Sequence, residues 1–167
     1  MKYLIPLLLV FLVVEAGFSQ RTVDDVLRQY NSGSVPYISV EELRMNQLND
    51  KVMILDAREM TEYQVSTIPD AKFVGYNDFS VKKISEEIKD KDTPIVVFCS
   101  LGIRSETIGE KLKKAGFKQV KNLYGGIIEW KNNGYPVFTP EGTETDEIHT
   151  FSKYWGQWLT KGVKVYE

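Results

Sequence analysis

Pro94-Ile-Val-Val-Phe98 runs without a break into Cys99-Ser-Leu-Gly-Ile-Arg-Ser105. The first stretch is apolar throughout and β-branched at Ile95, Val96 and Val97. A strand covered on both faces reads this way, whereas a half-solvated strand alternates. Val52-Met-Ile-Leu55, ending at Asp56, and Val120–Tyr124 have the same texture, and Val35–Ser39 and Ala71–Tyr76 are shorter candidates. Helical spacing falls between them: Val40–Gln47 with Ser39 as N-cap, a turn at Glu59–Gln64, Phe79–Lys89, Ser105–Ala115 closed by Gly116, and Ile127–Asn133 ended by Gly134 and Pro136. Strands alternating with helices predict a single α/β domain, an open, mainly parallel sheet flanked by helices.

Outward from this centre, residues 20–33 form an N-terminal helix and linker, with Val23, Val26, Leu27 and Tyr30 on one helical face. Residues 34–140 form the domain, and residues 141–167 an aromatic tail folded onto it. Trp155 and Trp158 read as capping a hydrophobic surface rather than stacking a ligand, and His149 as a packing or surface residue. Gly125-Gly126 reads as backbone freedom before a helix, because no full Gly-x-Gly-x-x-Gly signature is present.

Residues 1–19 read as a signal peptide. Lys2 is the positive start, Tyr3–Val14 the apolar stretch, and Gly17 and Ser19 the small residues before a cleavage point near Ser19/Gln20. The apolar stretch would reach about 18 Å as a helix, short of the roughly 30 Å hydrocarbon core, so stable membrane insertion is not expected. The chain is therefore expected to be exported, to the periplasm or outside the cell.

Composition narrows the chemistry. The net charge of −2 gives no basic face for nucleic acid. One Cys excludes an intrachain disulfide, and with one His there is almost nothing from which to build a conventional metal centre. The one Cys, however, sits at the carboxyl end of the central strand, where open α/β sheets bind ligands. Backbone N–H groups from Ser100 to Ser105 can converge there, backed by the positive end of the following helix. Gly102 frees the backbone for a left-handed turn, and Arg104 adds a permanent charge with a planar fork. Each of these favours a thiolate, so Cys99 is expected to titrate below the ordinary thiol value.

At this point the chain resembles the rhodanese-like sulfurtransferases. Cys99, Gly102, Arg104 and Ser105 match the family's Cys-x-x-Gly-x-Arg-Ser loop. Leu55-Asp-Ala-Arg-Glu59 with Glu62-Tyr63 resembles its upstream segment, and Leu123-Tyr-Gly-Gly126, Trp130 and Gly134-Tyr-Pro-Val137 its terminal block. Two positions depart from the pattern. Ser66-Thr-Ile-Pro-Asp-Ala71 stands where the family commonly has Gly-His-Ile-Pro-Gly-Ala, a change that bears on local packing. Ser100 and Leu101 stand beside the Cys where many thiosulfate-using members carry a cation, which weakens the case for a small dianionic donor and favours an organic thiol or protein persulfide.

The resemblance implies transfer of sulfane sulfur from a donor, thiosulfate or a persulfide, onto Cys99, and from that persulfide to cyanide or a thiol, without metal, nucleotide or flavin. Cys99 is the catalytic residue, and Ser100, Leu101, Gly102, Ile103, Arg104 and Ser105 bind substrate. Asp56 and Arg58 support the site structurally, as an Asp–Arg network joined by Glu59 or Glu62. The expected partners are small sulfur donors, thiol or cyanide acceptors and a protein persulfide. The alternatives are a sulfur-carrier or binding module of the same fold and, less favoured, a phosphatase or arsenate reductase. Those last enzymes use Cys-x5-Arg, whereas Cys99 to Arg104 is the shorter Cys-x4-Arg. A redox thiol would lack a resolving partner within the chain.

Overall fold

A computed structural model describes residues 21–166. The signal-peptide segment lies outside the described residues, and no helix among those described is long and apolar enough to cross a membrane. In chain order, helix α1 (Val23–Tyr30), strand β1 (Tyr37–Ile38), α2 (Val40–Leu48), β2 (Met53–Asp56), α3 (Met60–Val65), β3 (Lys72–Phe73), α4 (Val81–Glu87), β4 (Ile95–Phe98), α5 (Arg104–Lys114), β5 (Val120–Leu123) and α6 (Gly126–Asn132) lead to the tail. The first strands form one 5-stranded parallel sheet in the order β1-β5-β4-β2-β3. The α/β class and mainly parallel sheet expected from the sequence are therefore present.

β4 lies at the sheet centre, and its side chains feed two cores. Val96 and Phe98 join Ile54 of β2, Leu43 of α2 and Ile127 and Trp130 of α6. Ile95 and Val97 join Leu55 of β2, Ile84 of α4 and Ile108 and Leu112 of α5. Helices on both faces explain why this strand carries no polar residue. The edges are shorter than the sequence suggests, Tyr37–Ile38 rather than Val35–Ser39 and Lys72–Phe73 rather than Ala71–Tyr76. Beyond Phe73 the Val74 and Gly75 N–H groups both turn to the Asp56 carbonyl, and Gly75 takes a φ of 71°, so the ladder stops.

Caps set several helix starts. The Ser39 hydroxyl accepts the Glu42 N–H at 3.2 Å, as its place before Val40 suggests, and Thr22 and Asp25 form a reciprocal capping box on α1.

The tail is more regular than its composition implies. β6 (Val137–Phe138) pairs antiparallel with β7 (Glu144–Thr145), and β8 (Glu147–His149) pairs parallel with β9 (Val163–Val165). A 3-10 helix, Trp155–Trp158, lies between β8 and β9. Ile148 and Leu159 enter the first core, and the Trp158 indole N–H donates to the Arg21 carbonyl at 3.0 Å. His149 is buried, and its Nδ1 accepts the Phe151 N–H at 3.1 Å. The unusual Ser66-Thr67 pair has its own partners. The Ser66 hydroxyl donates to the Glu147 carbonyl at 2.6 Å, while Thr67 exchanges backbone hydrogen bonds with Phe138.

Asp56 and Arg58 are both fully buried, the guanidinium forking onto the carboxylate at 2.9 and 2.6 Å. Arg58 also donates to the Ser66 carbonyl at 2.5 Å, and the Thr67 hydroxyl donates to Asp56 at 2.8 Å. The network ties the end of β2 to the loop after α3. It does not recruit Glu59 or Glu62, contrary to the expectation. Glu62 faces Arg104 instead, because its helical turn points it at the cysteine loop. Replacing one member of a buried pair strands the other charge. Arg58→Met is expected to cost about 3–5 kcal/mol, read as a lowered denaturant midpoint with unchanged slope.

Candidate active site

Cys99 follows β4 directly and is 2% exposed. The loop that follows is held from three directions. From α6, the Ile127 and Ile128 N–H groups donate to the Cys99 and Ser100 carbonyls at 3.0 and 3.3 Å. This close approach demands glycine at 126, where φ is 57° and a Cβ would lie 2.3 Å from the Cys99 carbonyl oxygen. From β5, the fully buried Asn122 donates to the Gly102 carbonyl at 2.8 Å, and from the α1 side Asn31 donates to the same oxygen at 2.9 Å. Gly102 itself has a φ of 115°, the left-handed turn expected of it.

That turn aims the Gly102 N–H at the Cys99 sulfur, 3.1 Å away. The Ser105 hydroxyl lies 3.5 Å from the sulfur and 2.7 Å from Asn122 Oδ1. Ser105 has one hydroxyl proton, and while Cys99 is a neutral thiol the shorter bond to Asn122 holds it. When the sulfur is charged it becomes the stronger acceptor. Burial alone raises the thiol, but the Arg104 charge and the hydrogen bonds from Ser105 and Gly102 outweigh it, and Cys99 is held below its ordinary value.

Arg104 does not offer its fork to the sulfur. Both terminal nitrogens go to Glu62, at 2.6 and 2.7 Å, and one also reaches the Ser100 hydroxyl at 3.0 Å. Ser100 in turn donates to Glu62 at 2.8 Å. Burial raises the Glu62 carboxyl, but the Arg104 hydrogen bonds and charge override it and hold the group ionised, below its ordinary range. For the guanidinium the same balance runs the other way: burial lowers it, and Glu62 and the Cys99 charge push it above its ordinary value. The cation therefore acts on Cys99 through space while its hydrogen bonds fix its position.

The loop opens on a cavity of about 200 Å³ with almost entirely apolar walls. Cys99, Ser100, Leu101, Ile103 and Arg104 line one side, and Phe151 and Trp155 of the tail close the other. Gly102 and Ser105 act on the sulfur from behind and do not line the space. Asp56 and Arg58 are also outside the lining; the Arg58 guanidinium instead lies over the Phe98 ring of β4 at 5.6 Å. Trp155 packs against the first core, as expected of a surface cap. It packs edge-on to Tyr30 and at the same time forms a cavity wall. Glu62 and Asn122 are the site residues that the motif left without a role. Asn122 carried a signal, as a polar residue inside an otherwise buried strand; Phe151 carried none. No cluster of His, Cys, Asp and Glu among the described residues could hold a metal ion.

The stretch of chain that carries this arrangement is similar to proteins of known kind. Residues 39–133, more than half of the chain, match the family model for the rhodanese-like domain. The chain belongs to the rhodanese-like family. It is 36% identical over 93 residues to a sulfurtransferase of Allochromatium vinosum, covering 56% of this chain and 84% of that protein. It is 35% identical over 101 residues to YrkF, a candidate sulfur carrier of Bacillus subtilis, covering 60% of this chain and 53% of that one. The chain thus spans about half the length of the Bacillus protein. The crystal structure of a thiosulfate sulfurtransferase from Pseudomonas aeruginosa superposes with a TM-score of 0.59 at 25% identity, over 75% of this chain and 23% of that one. The family match ends at residue 133, so Phe151 and Trp155 lie outside the matched region.

A lowered thiol pKa means that the thiolate persists to lower pH than in a free cysteine. The rate of iodoacetamide alkylation of Cys99 is expected to reach half its plateau at a lower pH than that of a free cysteine measured alongside. In Arg104→Met the midpoint moves upward, because burial then acts without the opposing charge.

Proposed function

We propose that the protein is a sulfurtransferase that carries sulfane sulfur as a persulfide on Cys99. The observation that carries this reading is the placement of the sulfur: it is buried, faces the Gly102 N–H at 3.1 Å, is biased toward the anion by Arg104, and opens on an apolar cavity. Cys99 thiolate attacks the outer sulfur of a donor. The new S–S bond forms as the donor's own sulfur bond breaks, and the leaving group takes the electron pair: sulfite from thiosulfate, a thiolate from a persulfide. An acceptor thiolate or cyanide then attacks the outer sulfur of the persulfide and releases Cys99 as thiolate. Both chemical steps pass charge between sulfur atoms in one place, so a fixed set of donors serves each of them. No group outside the chain is needed for the electrons to balance.

The relatives named as sulfurtransferase and candidate sulfur carrier support the class. The Lys2 and Tyr3–Val14 pattern supports an exported setting, periplasmic or extracellular. Asp56 and Arg58 act by holding β2 and the Ser66-Thr67 loop, not by touching substrate.

The test supplies thiosulfate, and separately polysulfide, to the protein and follows the intact mass and thiocyanate release on adding cyanide. The protein is expected to gain one sulfur atom and lose it to cyanide, with both signals absent in Cys99→Ser. Thiocyanate formation by Cys99→Ser at the wild-type rate, or no sulfur gained from any donor, would overturn the proposal. Sulfur gained but released only to a protein thiol would select the carrier form of the same chemistry.

A further inference from the structure

The tail residues that close the cavity are held in place at a conformational cost. Phe151 has a φ of 66°, a left-handed conformation that is a marked outlier for a bulky side chain, and its ring is 53% exposed. Hydrogen bonds at Phe151 and at the residue before it hold that segment. The Phe151 N–H is taken by His149 Nδ1 at 3.1 Å, and the Thr150 N–H by the Val165 carbonyl at 2.8 Å. The result is an aromatic ring 5.2 Å above the Arg104 guanidinium at the mouth of the cavity, with Trp155 beside it. A half-exposed ring in a strained backbone contributes little to the core, so its position requires another reason.

The charges in the cavity give one. Among the described residues Arg104 is the only cation lining it, and both its terminal nitrogens are committed to Glu62. A small dianion such as thiosulfate therefore finds no free cation to replace its hydration. An apolar organic body, by contrast, meets Leu101, Ile103, Phe151 and Trp155, in a space larger than the ~150 Å³ that holds a benzene ring.

Resting on the persulfide reading above, we propose that Phe151 and Trp155 are specificity-determining residues that select sulfane-sulfur donors with an apolar, ring-sized organic body. For such a donor, written R–X–S⁻, the Cys99 thiolate attacks the terminal sulfur. The X–S bond breaks, and R–X⁻ leaves with the electron pair, giving Cys99–S–S⁻ and no change in total charge.

The test compares benzenethiosulfonate with methanethiosulfonate, which share one reacting group and one charge and differ in the organic body. Sulfinate release gives kcat/KM, and intact mass reports the sulfur on Cys99. The aryl-to-methyl ratio, divided by the same ratio for a free thiol in solution, is expected to exceed about tenfold. It is expected to fall toward one in Phe151→Gly and in Trp155→Ala. Glycine suits the backbone at 151, so that variant keeps the fold while removing the ring, and circular dichroism checks both variants. A corrected ratio near one in the wild type, or a preference that survives both substitutions, overturns the inference and leaves the sulfurtransferase reading standing. Failure of both thiosulfonates to place sulfur on Cys99 while polysulfide still loads it overturns the inference alone; failure of polysulfide and thiosulfate as well overturns the reading beneath it.

Discussion

A cysteine sulfur 2% exposed at the end of a β-strand, and biased toward the anion, is the constraint on which the rest of this molecule depends. Water cannot solvate it, so the protein must supply its compensation, and any supplied charge must itself be held. Arg104 provides the charge, and Glu62 and the Ser100 hydroxyl hold Arg104. The sulfur is biased toward the anion by the Arg104 charge and by its own hydrogen bonds from Ser105 and Gly102. A cation free to turn toward any passing anion would bind strongly and discriminate poorly. This one is fixed, and its remaining influence is on Cys99.

The fold keeps the loop in the shape that this compensation requires. β4 is buried on both faces, so its carboxyl end cannot shift without disturbing two cores. The first N–H groups of α6 hold the carbonyls of Cys99 and Ser100 from beneath, and a glycine at 126 lets the backbones meet. Asn122 fixes the Gly102 carbonyl, which turns the Gly102 N–H toward the sulfur. The tail then closes the space above. Its strands bring Phe151 and Trp155 to the cavity while Ile148 and Leu159 anchor them in the core. Stability and selectivity therefore draw on the same segment.

The parts of this site that are local in sequence were legible there. An all-apolar β-branched run, a cysteine at its end, a glycine and an arginine at set spacing are all neighbours in the chain, and spacing alone relates them. Glu62 and Asn122 reach the loop through tertiary structure, from 42 and 20 residues away, and no local pattern assigns their partners. At β3 the strand was overestimated because the Val74 and Gly75 N–H groups share the Asp56 carbonyl and Gly75 takes a φ of 71°, a turn that the apolar run through Val74 conceals. The tail was read as a cap because three-residue spacing of tryptophans fits a packed surface and a cavity wall equally well. What distinguishes the two is the backbone at Phe151, which no propensity would place in the left-handed region.

The crystal structure of the persulfidated protein tests the central claim most directly. The account predicts the outer sulfur in the cavity between the cysteine loop and the Phe151 and Trp155 rings, within hydrogen-bond distance of the loop N–H groups, with the Arg104–Glu62 pair undisturbed. An outer sulfur directed away from that cavity, or a loop that must open and release Arg104 from Glu62 to hold it, would contradict it.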